Sequence, residues 1–549
     1  MDMRIITLLI IATFVFSHLA NAQFKKFYAR KNNYAISTRI VPLTGGDKLV
    51  LNNFQNGPGG DTLQLIRTNS QGNIVWSKHL NFRSSTVTGW ATGANGDIFL
   101  VGGSGGQFPL IATQPKAFFL KVTQEGDVDT IKGYGTSSVS EHGSIVVQGN
   151  SCLIASQYAD FNNFAAQFSY FFILLKTDLN GNREWVKRIS IPFASTSRIT
   201  PKIQGLADGG AIISFSINRL ATTGGTPPVR TIYVMRVNSE GERVWVKSVD
   251  VSTLGIHSLV SMEKINATDY ALLVRIEPSF LSQLINFGIY TFNESGEFLA
   301  GRKYGLGANS DVPFSLKLLP DNNLAVAGRR VDRTVSPFET GEFIMKINPS
   351  LIPVAARWYK FGSYNLLGAD LAVDNDGTCH YATSYFCQTQ GKYFQAVVKA
   401  APTDLQAGCQ SLESNLTLPD SAVSLSFADE SYTMTNWFGL NAKVAVETIP
   451  VSVATLDICE GCPDEISSTD PKMAAISFRI FPNPAQNWVT IETEVPWQLD
   501  AFDFLGRQVL STQLNPGQNQ LDVSALSKGL YHFSGLNANG KIVRRLHIE

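Results

Sequence analysis

The chain carries no net charge: 45 Lys and Arg balance 45 Asp and Glu over 549 residues. Nucleic acids and anionic membranes recruit strongly basic surfaces, so neither is expected as the main partner. Charged residues are few, at 16%, and Cys, His and Met number only 6, 7 and 7. With 44% hydrophobic residues, a disordered chain is excluded. After the first residues no apolar run is long enough for a transmembrane helix. What the chain does have is Gly and Phe, 45 and 34, the material of strands joined by tight turns. At this length several domains are expected.

Arg4 precedes an apolar stretch from Ile5 to Phe16, followed by Ala20-Asn21-Ala22. Twelve residues fall short of the roughly 20 that span a bilayer. A basic start, a short apolar core and a small-residue site read as a secretory signal peptide, residues 1–22, cleaved before Gln23.

One pattern recurs through the next 380 or so residues: an apolar strand ending in a basic residue, a polar turn with Gly, and an aromatic-x-basic strand. It reads Leu65-Ile66-Arg67 to Gly72 with Trp76-Ser77-Lys78, and Lys176 to Gly181 with Trp185-Val186-Lys187. It returns as Arg236 to Gly241 with Trp245-Val246-Lys247. Weaker copies start at Lys121, Thr291 and Lys346, and Lys399 marks a decayed seventh, at spacings of 53 to 60 residues. Each copy predicts a hairpin, because its Gly supplies the positive φ that a tight turn needs. A second hairpin precedes each, with turns such as Gly45-Gly46-Asp47, Asn95-Gly96-Asp97 and Asp208-Gly209-Gly210.

Two hairpins per period make a four-stranded unit of propeller-blade size. The expectation is an all-β chain: a seven-bladed β-propeller over residues 23–409, then a C-terminal Ig-like β-sandwich. Copy seven lacks its aromatic-x-basic strand, whereas Tyr28-Ala29-Arg30 offers one before copy one. An N-terminal strand is therefore expected to complete the last blade and close the ring. Residues 410–462 form a β-rich connecting segment, either a small sandwich or an extension on the last blade. Residues 463–475, polar and bounded by prolines at Pro463 and Pro471, read as a linker.

The last 74 residues, 476–549, carry the most specific motifs. They open on Phe481-Pro482-Asn483-Pro484-Ala485 and continue with Asp503-Phe504-Leu505-Gly506-Arg507. Gly529-Leu530-Tyr531 follows. This order resembles the type A C-terminal sorting domain of the type IX secretion system of Bacteroidetes, with Pro482, Asn483, Pro484, Gly506, Gly529 and Tyr531 carrying the motif. The resemblance implies export across both membranes, with the secretion machinery and its processing enzyme as partners. It also implies release, or attachment to surface lipopolysaccharide.

The six cysteines all lie after the signal peptide. An even count in an exported chain suggests disulfides, and Cys409 with Cys459 or Cys462 is the expected pairing. Cys459-Glu460-Gly461-Cys462 has no His nearby to complete a zinc site, and no metal or cofactor is expected. Gly102-Gly103-Ser104-Gly105-Gly106 matches a hydrolase elbow in letters only, since no helix start follows it. Asp374-Asn375-Asp376-Gly377 resembles the start of a calcium loop, but its repeat position makes it a plain turn.

Aligning the copies puts His142 and His257 in one register near the start of their blades, with Arg39, Lys202 and Asp370 one position on in theirs. First strands of blades line the central channel, so these five residues are the candidate binding set at its mouth; no catalytic set is evident. The expected function is a secreted or cell-surface binding or adhesion module, monomeric, with a polymer or protein ligand. The alternative is an extracellular hydrolase or lyase acting on a polymer at the channel mouth.

Overall fold

The fold was analysed in a computed structural model of the whole chain. It describes residues 24–29, 34–56, 60–81, 85–104, 117–134, 139–162, 167–190, 201–219, 229–250, 256–277, 284–305, 309–336, 338–360, 369–387 and 392–407, seven short stretches between 413 and 457, and 479–493, 496–503, 507–537 and 540–549. The signal-peptide expectation and Cys409, Cys459 and Cys462 lie outside these residues. The chain divides into two compact units, 1–465 and 466–549.

The first unit contains seven five-stranded antiparallel sheets among the described residues. The first strands of sheets one to seven are Tyr34–Pro42, Ser85–Thr92, Val139–Gln148, Lys202–Gly205, Ile256–Lys264, Ser310–Leu318 and Ala369–Val373. Sheets one to six each take their first four strands from consecutive segments. In sheet seven the fourth strand is Phe24–Ala29, with Phe24 opposite Lys399 and Tyr28 opposite Gln395. The arrangement is all-β and propeller-like.

The fifth strands come from the connecting segment, which is neither a separate sandwich nor an extension of one blade. Glu413–Asn415 adds to sheet six, Asp420–Ala422 to five, Ser426–Asp429 to four and Thr433–Asn436 to three. Asn441–Lys443 then adds to sheet two, Glu447–Pro450 to one and Ala454–Asp457 to seven. The segment visits every sheet in descending order and pairs with the outer edge of each. Open edges invite pairing with other chains, and these are covered by the chain itself.

Successive sheets pack through apolar faces set by the two-residue alternation of strands. Leu49, Leu51, Leu63 and Leu65 of sheet one meet Leu100 and Leu120 of sheet two. Phe172 and Leu174 of sheet three meet Ile213, Phe215 and Met235 of sheet four. Ile40, Val50 and Ile66 of sheet one also cluster with Ala372, Ala382 and Val397 of sheet seven. Each fully buried side chain of this size contributes about 1.5–3 kcal/mol.

The repeat motif proves to be the connector between sheets. The turn glycine Gly126 of sheet two lies under Trp76 of sheet one, where a Cβ would come within 2.4 Å of the indole. Gly241 sits under Trp185 in the same way. In three sheets the basic residue closing the third strand reaches the next sheet's turn: Arg67 Nη1 donates to Gln124 O (3.1 Å), Lys346 Nζ to Pro402 O (3.1 Å) and Lys399 Nζ to Ser70 O (3.1 Å). At the ends of fourth strands, Tyr134 and Tyr304 donate to the carbonyls of Gly181 (2.5 Å) and Leu351 (2.7 Å) in the following sheet.

The second unit has a three-stranded and a four-stranded sheet around one core of Val489, Ile491, Trp497, Leu499, Phe533 and Leu546. Its motif residues hold it together. Asn483 Oδ1 accepts His547 N (2.9 Å), and Ala485 N donates to His547 O (2.8 Å), which clips the opening motif to the last strand. Asp503 takes the backbone N of Arg507 at 2.9 Å and its Nε at 2.8 Å, fixing the hairpin whose Gly506 lies outside the described residues. Tyr531 Oη donates to Ser527 O (2.8 Å).

Candidate functional site

Each first strand lies against the first strands of the sheets before and after it, so residues at equal register on adjacent strands are near one another. Counting two residues along each second strand from the partner of the residue at the repeat's basic position, and crossing to the first strand, gives Arg39, Gly89, Ser144, Lys202, Ser261, Ser315 and Asp370. Arg39, Lys202 and Asp370 therefore share a register, as the sequence predicts, and the other four positions are Gly or Ser. Two residues on, the same face carries Gln204, Glu263 and Lys317. Ile40, Ile145, Ile203, Met262, Leu316 and Leu371, which alternate with these, are buried among the sheets.

Asp370 is the hub of this ring. Its Oδ1 accepts Ser315 Oγ of sheet six (3.1 Å) and Leu371 N (2.9 Å). Its Oδ2 accepts Trp90 Nε1 of sheet two (3.2 Å) and Ile40 N of sheet one (3.4 Å). One carboxylate thus ties four sheets together. The Trp90 ring also lies under Lys317 Nζ of sheet six, 5.6 Å from its centroid, so the indole spans the space between the inner strands. Lys317 pairs with Glu263 at 3.5 Å, and that carboxylate holds its ammonium above the usual lysine range.

Lys202 is different. It makes no hydrogen bond or ion pair among the described residues, yet it is enclosed by protein while still touching solvent. Burial, and then the positive charge of Arg39, push its ammonium down to about 8; Asp370 partly offsets them. The hydroxyls of Ser144 and Ser261 also have no partner among the described residues, and both side chains are partly exposed.

The two histidines do not join this ring. Inner-strand bulges leave out Thr88, Gly143, Val260 and Phe314 from pairing; Gly143 and Val260, one residue after His142 and three after His257, hold the register that the sequence assigned to the histidines. His142 pairs along its backbone with Ser156. His257 is fully buried, with Nε2 3.2 Å from Tyr290 Oη, and belongs to the packing between sheets. Trp90, Ser144, Ser261, Glu263, Lys317 and Ser315 were missed; Ser144, Ser261 and Ser315 share the common register, hidden by the bulges, and Trp90, Glu263 and Lys317 lie one or two residues beyond it.

Other residues singled out by sequence have structural duties. Asp374 accepts Lys48 Nζ at 2.5 Å and His380 Nε2 at 2.8 Å, leaving the turn carboxylate saturated by sheet one and by its own sheet. Cys152 and Cys379 are buried single thiols that burial pushes up to about 12. Ser104 ends a strand opposite Ser85.

Residues 479–549 match the model of the secretion system C-terminal sorting domain. The tail is a sorting domain. It marks the chain for export to the cell surface or for secretion, and the secretion machinery handles it. No helix among the described residues is long and apolar enough to cross a membrane. No curated protein matches the chain in sequence.

Among solved structures, the chain is similar to an ulvan lyase of a polysaccharide lyase family, at TM-score 0.39 and 10% identity, over 66% of this chain and 92% of that one. It is similar to an α-L-arabinanase from Penicillium chrysogenum at TM-score 0.38 and 11% identity, over 70% and 99%. A Dyadobacter fermentans protein titled as of unknown function matches at TM-score 0.37 and 11% identity, over 69% and 98%. Likenesses this distant leave the activity to be argued from the chain's own residues.

Proposed function

We propose that this is a non-enzymatic binding module, delivered outside the cell by its sorting domain, whose seven sheets are the blades of one closed propeller. Mature residues 23–409 form the blades, the 410–462 segment braces their outer edges, and 463–475 links them to the sorting domain at 476–549. Closure is supported by the repeat contacts: Lys399 reaches Ser70 from sheet seven to sheet one as Arg67 reaches Gln124 from one to two. Pairing of Phe24–Ala29 with 395–399 supports it as well.

The observation that carries the binding reading is the inner ring. Arg39, Lys202 and Lys317 gather there, while Asp370 is saturated by four donors and Glu263 is paired with Lys317. Hydrolytic or lyase chemistry needs an acid and a base poised over a substrate. A carboxylate tied to four sheets is an anchor for the fold and is poorly suited to that work. After export, the module is released or held by surface lipopolysaccharide.

Two experiments test this. Cells producing a chain without residues 476–549 should retain a folded propeller in the periplasm, because the sorting unit is compact by itself. Appearance of the truncated chain in the medium through an intact outer membrane would sink the export reading. The purified mature chain should bind members of a polysaccharide and peptide panel without turnover; product formation lost in Lys202→Met would turn the reading toward an enzyme.

A further inference from the structure

We propose that the inner ring holds an oxyanion, a carboxylate or sulfate group of the ligand, with the Lys202 ammonium and the hydroxyls of Ser144 and Ser261 as its donors. This rests on the closed-propeller reading above, which brings the seven first strands around one channel.

Three observations lead there. Lys202, Ser144 and Ser261 share one register on sheets four, three and five, which are consecutive. All three have polar atoms without a partner among the described residues, and all three retain solvent contact. An ammonium and two hydroxyls carried at one register on three adjacent strands are the donor types an oxyanion takes.

The electrostatics have the same sign. Burial lowers the proton affinity of Lys202 most, and the positive charges of Arg39 and Lys317 lower it further while Asp370 opposes them. Of the carboxylates facing the ring, Asp370 is filled by Ser315, Leu371, Trp90 and Ile40, and Glu263 is engaged by Lys317. Neither reaches Lys202 as an ion pair. An enclosed cation is unfavourable without a counter-charge, and a bound anion supplies one. Small residues complete the case: Ser144, Ser261 and Ser315 put short side chains at three of the seven positions. Gly89 is held to glycine by crowding, since a Cβ there would lie 2.8 Å from the Ser144 Cα.

The test is calorimetric titration of the full mature chain at low salt with three probes: a uronate oligosaccharide, a sulfated oligosaccharide and a neutral oligosaccharide of equal length. Sodium sulfate serves as a fourth. Charged saccharides should bind at least tenfold more tightly than the neutral one, and Lys202→Met should remove that preference. Ser144→Ala with Ser261→Ala should weaken binding about tenfold. Affinity should fall as pH rises through about 8, where Lys202 loses its proton. Sulfate binding that depends equally on Lys202 supports the oxyanion site and identifies the free ion as sufficient.

Lys202→Met should keep or raise the melting temperature, because an unpaired enclosed charge is replaced by an apolar chain of similar length. Equal binding of neutral and charged saccharides, or a charge preference that survives Lys202→Met, overturns the oxyanion site while leaving a binding module. Absence of binding to any saccharide or peptide would instead remove the binding reading itself.

Discussion

Sheets three and four meet through rings and branched chains, whereas sheet seven adds buried polar groups to its contacts with both neighbours. Between three and four, Phe172, Phe215 and Tyr233 stack with centroids 5.4 and 5.5 Å apart. Between six and seven, Tyr381 Oη and Thr383 Oγ1 donate to the fully buried carboxyl of Glu342. Between seven and one, Lys48, almost wholly buried, meets Asp374, which also holds His380. Apolar contact is tolerant of its partner, but a buried charge is strongly unfavourable unless its particular partner arrives. Our hypothesis is that these groups mark the seam where the two ends of the repeat array must find each other.

The comparison breaks most completely if the seam strand is removed. Phe24–Ala29 lies between Lys392–Ala400 and Ala454–Asp457 in sheet seven, so its loss unpairs both. A mature chain starting after Ala29 should lose cooperative melting by circular dichroism; an unchanged melting curve would mean the strand is dispensable.

Single substitutions at the two kinds of interface sharpen it. Asp374→Asn leaves Lys48 buried and unpaired, with an expected loss of roughly 3–5 kcal/mol. Phe215→Ala opens a cavity of comparable expected effect, roughly 3–5 kcal/mol. Denaturant unfolding at several pH values separates them: the Phe215→Ala loss should be constant, and the Asp374→Asn loss should shrink in acid. Burial opposes ionisation of Asp374, but the bonds from His380 and Lys48 win and hold its carboxyl down to about 2. Its contribution is therefore present above pH 3.8 and lost as pH falls toward about 2.

Glu342 runs the other way. Burial pushes its carboxyl up to about 7, against the opposing bonds from Tyr381 and Thr383 and the charge of Arg329. The fold favours the protonated form, so stability is full below pH 4.5 and declines as pH rises through about 7. Glu342→Gln should match the parent at pH 5 and exceed it by up to about 3 kcal/mol at pH 8. His380 adds an acid limb: burial lowers its pKa, so stability falls as pH drops below 6.5. An Glu342→Gln chain with an unaltered alkaline limb would refute the assignment.

The smallest effect belongs to the outer edges. Ala428→Pro removes one donor from the fifth strand of sheet four, opposite Ser248, for about 1 kcal/mol. Hydrogen exchange should speed up in residues 243–250 and nowhere else in the propeller.

The repeat and the sorting motifs were readable because Gly turns and Trp-x-basic strands recur at nearly fixed spacing. The same regularity foretold Arg39, Lys202 and Asp370. It failed for His142 because the bulge at Gly143 adds a residue to the inner strand, and a one-residue shift turns every side chain to the other face; His257 lies three residues before Val260, further than the one bulge residue there displaces it. The edge strands from Glu413 to Asp457 were hidden for another reason. Each is three or four residues long, too short to set up a period, and its partner lies from about 55 to over 400 residues away.

Closure at the seam is tested most directly by a cross-link between Tyr28→Cys and Gln395→Cys. The two positions are direct antiparallel partners, within the span of a disulfide. Under oxidation the account predicts an intrachain bond in monomeric protein, located by peptide mass spectrometry, and a higher melting temperature. No bond between these residues, or a bond formed only between two molecules, would contradict it.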